Sequence, residues 1–197
     1  MRRSAMAKLY FYYASMNAGK STNLLQAAFN YAERGMRTML WTAGVDTRAG
    51  EGRIASRIGL EANAHSFAPS TDLHAAVEAD RAGLACVLVD EAQFLTRDQV
   101  CELARVADEL SIPVLCYGLR TDFQGELFEG SAALLGLADA LIELKAVCEC
   151  GRKATMNLRV DASGRAVGEG AQTDIGGNDR YIALCRRHFM ERLRDAS

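Results

Sequence analysis

The chain has 197 residues, 49% of them hydrophobic, and its 23 basic and 25 acidic side chains give a formal net charge of −2. A chain of this size and composition can bury one substantial core, which argues against a disordered protein and leaves room for one domain with a small appendage. The charge balance provides no general basic surface, so nucleic acid and anionic membranes are not expected as partners, and any phosphate site must be local.

The sequence shows no recognisable membrane span or targeting segment. No run approaches the roughly 18 consecutive apolar residues of a membrane-spanning helix. Residues 1–7 lack the apolar core of a signal peptide and include a second methionine, Met6, so we interpret them as a disordered extension or an upstream start. We therefore expect a cytoplasmic protein.

Residues 8–25 are typical of a phosphate-binding loop between a strand and a helix. The apolar run 9–13 predicts a buried strand, residues 14–19 a tight loop, and Lys20 the start of a helix. In such a loop backbone N–H groups surround a polyphosphate, Lys20 reaches the outer phosphates and Ser21 holds a magnesium ion. Ala14 stands where the motif usually has glycine, a position that requires a small residue. An ordinary strand-to-helix turn is the alternative.

The next elements complete a β-α-β unit. Residues 21–33 predict the helix, Gly35 ends it, and residues 37–42 predict a second, parallel strand joined by a right-handed crossover. Residues 45–63 are rich in glycine and arginine and poorly periodic. We interpret them as a mobile loop near the phosphates, and a solvated surface loop is equally compatible with their composition.

A pair of acidic residues follows a continuously apolar strand. Residues 70–82 predict a helix capped by Ser70 or Thr71, and Leu84–Val89 predicts a central parallel strand that ends in Asp90 and Glu91. Parallel sheets bind ligands at the carboxyl ends of their strands, which would put this pair beside the phosphate loop.

The two carboxylates suit different tasks. Asp90 is our candidate for binding magnesium, directly or through water, and Glu91 for the general base that faces the nucleophile. The alternative is that both residues merely favour the N-terminus of the predicted helix Arg97–Leu110.

The remaining part of the sheet is predicted from residues 113–144. Residues 113–117 predict a strand, and the segment after it, 118–125, carries Arg120 and Phe123. Those two side chains suit a phosphate-facing cation and a base-stacking ring, or else a hydrophobic anchor of the loop. A short helix at 130–137 and a last strand at 140–144 follow.

The composition changes after Lys145, where four metal-ligand side chains appear. Cys148 and Cys150 precede a polar β-like segment, a turn and the glycine-rich loop 168–177, and Cys185 and His188 follow. Three thiolates and an imidazole suit a closed tetrahedral structural zinc site. The one-residue gap in the first pair is shorter than usual, and unliganded cysteines are the alternative. Zinc here would serve folding rather than chemistry.

These features together predict the fold. We expect an α/β protein with a RecA-like parallel sheet of the P-loop NTPase type, flanked by helices. Residues 8–146 would form the ATP-binding domain, and residues 147–197 a small zinc-ribbon domain that contains the glycine-rich loop 168–177.

The combination resembles the type II thymidine kinases, the zinc-containing family of bacterial enzymes and the vertebrate cytosolic enzyme. The resemblance covers residues 7–192. Its most specific motifs are YYASMNAGKS at 12–21, DEAQF at 90–94, and IGGNDRY at 175–181 running into CRRH at 185–188.

The resemblance implies transfer of the ATP γ-phosphate to the 5′-hydroxyl of thymidine or deoxyuridine in pyrimidine salvage, with Glu91 as general base. Magnesium would be held by Ser21 and Asp90, with Asp46 and Arg48 on the phosphate side. It also implies that residues 147–197 carry a lasso loop that closes over the nucleoside. A homotetramer with thymidine triphosphate as feedback inhibitor is implied as well. The implied ATP-binding residues are Ala14, Ser15, Met16, Asn17, Ala18, Gly19, Lys20, Ser21, Asp90, Glu91, Ala92 and Gln93. The implied nucleoside-binding residues are Met16, Phe94, Leu119, Phe123, Phe128, Thr173, Asp174, Ile175, Gly176, Gly177 and Tyr181.

A different class stands against this interpretation, namely a RecA-like motor or regulatory ATPase in which Glu91 activates water. The loop 168–181 discriminates the two, because it has no function in a simple hydrolase. A GTP-binding switch lacks support, since the guanine-reading Asn-Lys-x-Asp motif is absent from the sequence. A zinc-ribbon adaptor would leave the phosphate loop unexplained.

Overall fold

The computed structural model describes residues 7–46, 50, 52–172 and 180–195. Its strands and helices, in chain order, are β1 (Leu9–Ala14), α1 (Lys20–Ala32), β2 (Arg37–Ala43), β3 (Arg53–Ala55), β4 (Glu61–Asn63), β5 (His65–Phe67), α2 (Leu73–Ala79), β6 (Leu84–Val89), α3 (Arg97–Leu110), β7 (Val114–Leu119), α4 (Glu129–Leu137), β8 (Ala140–Glu143), β9 (Ala146–Val147), β10 (Lys153–Ala154), β11 (Met156–Arg159), β12 (Tyr181–Leu184) and α5 (Arg186–Arg194). A 3₁₀ turn, Ala92–Phe94, lies between β6 and α3.

Six strands form one parallel sheet in the order β5-β2-β6-β7-β1-β8. Side chains alternate between its faces, as the strand period requires. On β6, Cys86 and Leu88 pack in the cluster that contains Leu24 and Leu25 of α1. Residues Val87 and Val89 pack in the opposite cluster, which includes apolar side chains of α2, α3 and α4. The predicted parallel sheet flanked by helices is confirmed.

Residues 45–63, predicted as a loop, are partly a β-hairpin, and that prediction was wrong for β3 and β4. Arg53 and Glu61 form an ion pair of 2.7 Å across the hairpin. Ile54 is 2% exposed and packs in the cluster with α1. Three-residue strands are too short to produce a recognisable hydrophobic period, so the sequence pattern gives no sign of the packing and pairing that hold this hairpin.

The helix predicted at 70–82 is shorter at both ends, running from Leu73 to Ala79, and neither Ser70 nor Thr71 caps it. Asp72 is the N-cap, and its carboxylate accepts a hydrogen bond from the Ala75 N–H at 2.8 Å. Thr71 instead accepts from the Ala68 N–H at 2.9 Å, which holds it in the preceding turn. Aspartate is among the most favoured N-cap residues, and here it directly precedes Leu73, the first residue of the helix.

The C-terminal part has its own buried cluster. Two antiparallel pairs, β9–β10 and β11–β12, are followed by α5. Residues Leu158, Leu184 and Phe189 are almost fully buried within this cluster. The division of the chain into domains at 146/147 stays a prediction.

Among the residues that the structure describes, no helix has the length and apolar character needed to cross a membrane.

Gly130 and Gly136 of α4 form a matched pair for testing how tightly α4 packs. A Cβ at Gly130 would lie 2.5 Å from the Ala92 oxygen and 2.7 Å from the Leu95 oxygen, both backbone atoms. A Cβ at Gly136 would meet nothing within 4 Å. We expect Gly130→Ala to lower the free energy of unfolding by about 1–3 kcal/mol through overpacking. Gly136→Ala should leave it unchanged or raise it by up to about 1 kcal/mol. Equal denaturation midpoints for the two variants would contradict this packing.

Candidate functional site

The phosphate loop occupies the connection from β1 to α1. Asn17 (φ 64°) and Gly19 (φ 78°) both adopt left-handed backbone conformations, which turn the chain sharply. The Lys20 amine donates to the Ser15 carbonyl at 3.0 Å, across the loop. Gly19 is the N-cap of α1 and has no side chain to cap the helix. The first N–H groups of α1 therefore suit an anionic ligand.

A hydrogen bond joins this loop to the end of β6. The Ser21 hydroxyl donates to the Asp90 carboxylate at 2.8 Å, although β7 lies between β1 and β6 in the sheet. Asp90 is 4% exposed. Burial raises the pKa of its carboxyl to about 7, and the adjacent Glu91 charge adds to this, while the hydrogen bond from Ser21 acts to lower it. A bound cation would stabilise the ionised form that burial disfavours.

Glu91 is held in a strained conformation beside Asp90. Its φ of 52° is left-handed, and its N–H donates to the Asp90 carboxylate at 3.0 Å. The Gln93 amide donates to the Glu91 carboxylate and accepts from the Leu119 N–H at 3.0 Å. Backbone strain of this kind persists where surrounding contacts over-determine it, and often marks functional sites. Gln93 thus fixes the Glu91 carboxylate against the end of β7.

These elements surround a cavity of about 460 Å³, a size typical of small-molecule sites. The predicted residues that line it are Met16, Asn17, Gly19, Lys20, Ser21, Asp46, Asp90, Glu91, Gln93, Phe94, Leu119, Phe123, Phe128 and Tyr181. Ala14 and Ala92 are buried in the protein interior instead. Ser15 is also buried, and Ala18 lies in the loop outside the lining. The predicted residues Arg48, Thr173, Asp174, Ile175, Gly176 and Gly177 lie outside the described residues.

The cavity has a polar end and an apolar end. Lys20, Ser21, Asp90 and Glu91 lie at the phosphate loop. Phe94 and Phe128 contribute aromatic walls, with their ring centroids 5.9 Å apart in an edge-to-face arrangement. This arrangement suits a ligand with a charged part and a flat apolar part.

Several cavity residues were missed by the sequence analysis. They include the hairpin residues Arg53, Ile54, Ala55, Ser56, Arg57 and Ile58, together with Thr42, Thr121, Asp122, Asn157 and Gln172. Asn157 belongs to β11. The alternation of side chains along a strand puts it on the same face as Arg159, but it does not indicate what that face contacts.

Arg159 contacts the stem of the glycine-rich loop, that is, the described residues 171–172 and 180–181 on either side of positions 173–179. Its guanidinium lies 3.8 Å from the Phe123 ring centroid and donates to the Tyr181 hydroxyl at 2.9 and 3.1 Å. It also donates to the Ala171 carbonyl at 2.9 Å. The Gln172 amide donates to the buried Asp122 carboxylate at 2.9 Å. Tyr181 and residues 171–172 are therefore held against the segment that follows β7.

Cys148, Cys150, Cys185 and His188 form the second candidate site. Their ligand atoms all lie within 4.8 Å of one another. The Cys150 and Cys185 sulfurs are 3.9 Å apart, close to the roughly 3.8 Å expected between sulfurs of a tetrahedral zinc site. Burial acts to raise the pKa of the Cys148 thiol, but the Cys150 and Cys185 N–H groups and the His188 ring outweigh it and lower the value to about 6. The donor set and its spacing fit a structural metal ion.

Comparisons with known proteins agree with this geometry. A family model described as thymidine kinase matches residues 7–189. A thymidine kinase of Novosphingobium aromaticivorans is 76% identical over 190 residues, which are 95% of this chain and 99% of that protein. Thymidine kinases of Zymomonas mobilis and Vibrio cholerae are 66% and 58% identical, each over 95% of this chain and over 98% and 99% of those proteins. The chain belongs to the thymidine kinase family.

Proposed function

We propose that the protein transfers the γ-phosphoryl group of ATP to the 5′-hydroxyl of thymidine, and of deoxyuridine, to give the nucleoside monophosphate. The observation that carries this proposal is the juxtaposition of Ser21, Asp90 and Glu91 at the polar end of a cavity whose other end is aromatic. A phosphate-binding group, a candidate base and a flat apolar pocket are the parts that a nucleoside kinase needs.

In this proposal the phosphate loop binds the ATP phosphates. Lys20 contacts the outer phosphates in place of its present contact with the Ser15 carbonyl. Ser21 and Asp90 hold the magnesium ion of the nucleotide, and Asp46 and Arg48 act on the phosphate side. Magnesium supplies charge neutralisation to the polyphosphate. The N–H groups of the loop and of the first turn of α1 align the transferring group.

Glu91 accepts the proton of the 5′-hydroxyl. Its carboxylate is oriented by the Gln93 amide, whose oxygen is fixed by the Leu119 N–H. Phosphoryl transfer has a loose transition state, so a carboxylate here mainly orients the hydroxyl and accepts its proton late.

The thymine base would occupy the apolar end of the cavity, against Met16, Phe94, Leu119, Phe123 and Phe128. In the proposal a loop that includes Thr173 and Asp174 closes over the nucleoside. Within it, Ile175, Gly176 and Gly177 offer backbone groups to the pyrimidine edge. Tyr181 helps to fix the sugar or the loop. The Arg159 and Asp122 contacts support this idea, because they hold the stem from which those residues extend.

The metal at the cysteine cluster is proposed to be zinc with a structural role. Four protein ligands leave no open coordination position for catalysis. Similarity to the family is what supports a homotetramer, feedback inhibition by thymidine triphosphate and a cytoplasmic location, and all three belong to the proposal.

Replacing Glu91 with glutamine tests the proposed base. Glu91→Gln keeps the size of the side chain but removes its proton acceptor. We expect kcat to fall about 10²- to 10⁴-fold, with equilibrium binding of thymidine and ATP changed far less. Glu78→Gln, at an exposed position of α2, is the control and should keep normal turnover. Near-normal turnover of Glu91→Gln would remove it as the base, and lost binding would make it a substrate-positioning residue.

Replacing Lys20 with alanine tests the phosphate loop. Lys20→Ala should abolish ATP binding and turnover, because the ammonium neutralises the outer phosphates. Its melting temperature without nucleotide should barely change, since a half-exposed lysine contributes little to the core. Lys8→Ala, which changes an exposed lysine, should retain ATP-dependent stabilisation. Retention of that stabilisation by Lys20→Ala would overturn the loop assignment.

Elemental analysis tests the metal site. Protein purified without chelator should contain about one zinc per chain, held by Cys148, Cys150, Cys185 and His188. Cys185→Ser should lose zinc and destabilise the C-terminal cluster, whereas Cys101→Ser, a half-buried position of α3, should retain the metal. A metal-free wild-type protein would count decisively against the site.

A further inference from the structure

Asn157 connects the C-terminal part of the chain to the phosphate loop. It lies on β11 and is 2% exposed. Its side-chain oxygen accepts a hydrogen bond from the Met16 N–H at 2.6 Å, and its amide nitrogen donates to the Thr121 carbonyl at 3.0 Å. One buried amide therefore bridges the loop after β1 and the segment after β7.

Both hydrogen bonds of Asn157 matter because the amide is buried. A buried polar group that loses its hydrogen-bond partner destabilises the fold by its full desolvation penalty. Separating the Asn157 amide from the Met16 N–H is therefore unfavourable, and each group holds the other in place. Asn157 also pairs with Ala183 of β12, the strand that leads directly into Cys185. The β11–β12 pairing and the Asn157 side chain thus connect the cysteine cluster to the phosphate loop.

We propose that Asn157 is a positioning residue that fixes the phosphate loop in its nucleotide-binding conformation by holding the Met16 N–H. It acts through Met16 and does not itself contact the phosphates. Because the Met16 N–H is occupied by Asn157, the N–H groups that follow it in the loop and in the first turn of α1 bind the phosphates. The C-terminal part of the chain, which holds the cysteine cluster, thereby also stabilises the ATP site.

Three variants separate this role from a general loss of stability. Asn157→Ala removes both hydrogen bonds. Asn157→Asp has nearly the same shape and keeps the acceptor for Met16 but loses the donor to Thr121. Leu158→Ala is the matched control, because Leu158 is fully buried on the same strand and packs in the C-terminal cluster, away from the cavity lining.

The first measurement is the hydrogen exchange rate of the Met16 amide, followed by NMR without nucleotide. Asn157→Ala should exchange this proton about three- to ten-fold faster, the scale of one lost hydrogen bond. Asn157→Asp should keep the protection. Leu158→Ala should lower the melting temperature yet leave Met16 as protected as in the wild type.

The second measurement is the equilibrium dissociation constant for ATP without nucleoside, and this part rests on the proposed function. Asn157→Ala should weaken ATP binding about three- to ten-fold, and Leu158→Ala should not. Unchanged Met16 exchange and ATP affinity in Asn157→Ala, with only thymidine affinity reduced, would overturn the proposal and leave Asn157 as a nucleoside contact. An equal effect of Leu158→Ala on Met16 exchange would overturn it as well. Failure of the wild type to bind ATP would instead refute the proposed function, while the exchange measurement would still decide the role of Asn157.

Discussion

The hydrogen bond between the Ser21 hydroxyl and the Asp90 carboxylate is the contact on which the site depends. It joins the first turn of α1 to the end of β6, and β7 lies between the two strands that lead to it. The contact is possible only if β1, β6 and β7 are parallel, since only then do their carboxyl ends share one edge of the sheet. A slip in strand order or direction would separate the phosphate loop from both acidic residues.

The acidic pair is energetically unfavourable and is supported by close packing around it. Asp90 is buried and Glu91 has a left-handed backbone, so both need compensating contacts. The Ser21 hydroxyl and the Glu91 N–H donate to the Asp90 carboxylate. Gln93 holds the Glu91 carboxylate and accepts from the Leu119 N–H. Glycines at 118 and 130 allow the backbone of β7 and α4 to approach residues 92–95, where a Cβ would come within 3.0 Å of backbone atoms. The turn that directly follows the candidate base is thus packed closely by β7 and α4.

The sheet and the phosphate loop could be predicted because their signals are local. An apolar run such as Leu84–Val89 and the loop ending in Gly19 and Lys20 each lie within a few consecutive residues. The β3–β4 hairpin was mispredicted because Ile54 packs against α1, a contact that no local pattern shows. The Asp72 cap was mispredicted because Ser70, Thr71 and Asp72 are all residues that can cap a helix. Asn157 and Arg159 were missed as site residues because their partners are distant in sequence. The hydrogen bond from the Met16 N–H to the Asn157 side chain joins residues 141 positions apart, and no pattern within a strand predicts it.

The most direct test of the account is a phosphate-transfer assay with ATP as donor and a panel of nucleosides as acceptors, with ATP hydrolysis measured in parallel. A cavity with a polyphosphate end, a candidate base and an aromatic end predicts strong transfer to thymidine and deoxyuridine. It also predicts negligible ATP hydrolysis when no acceptor is present, since Glu91 would serve a nucleoside hydroxyl rather than water. Rapid acceptor-independent hydrolysis with no nucleoside monophosphate formed would contradict the account and favour a RecA-like ATPase.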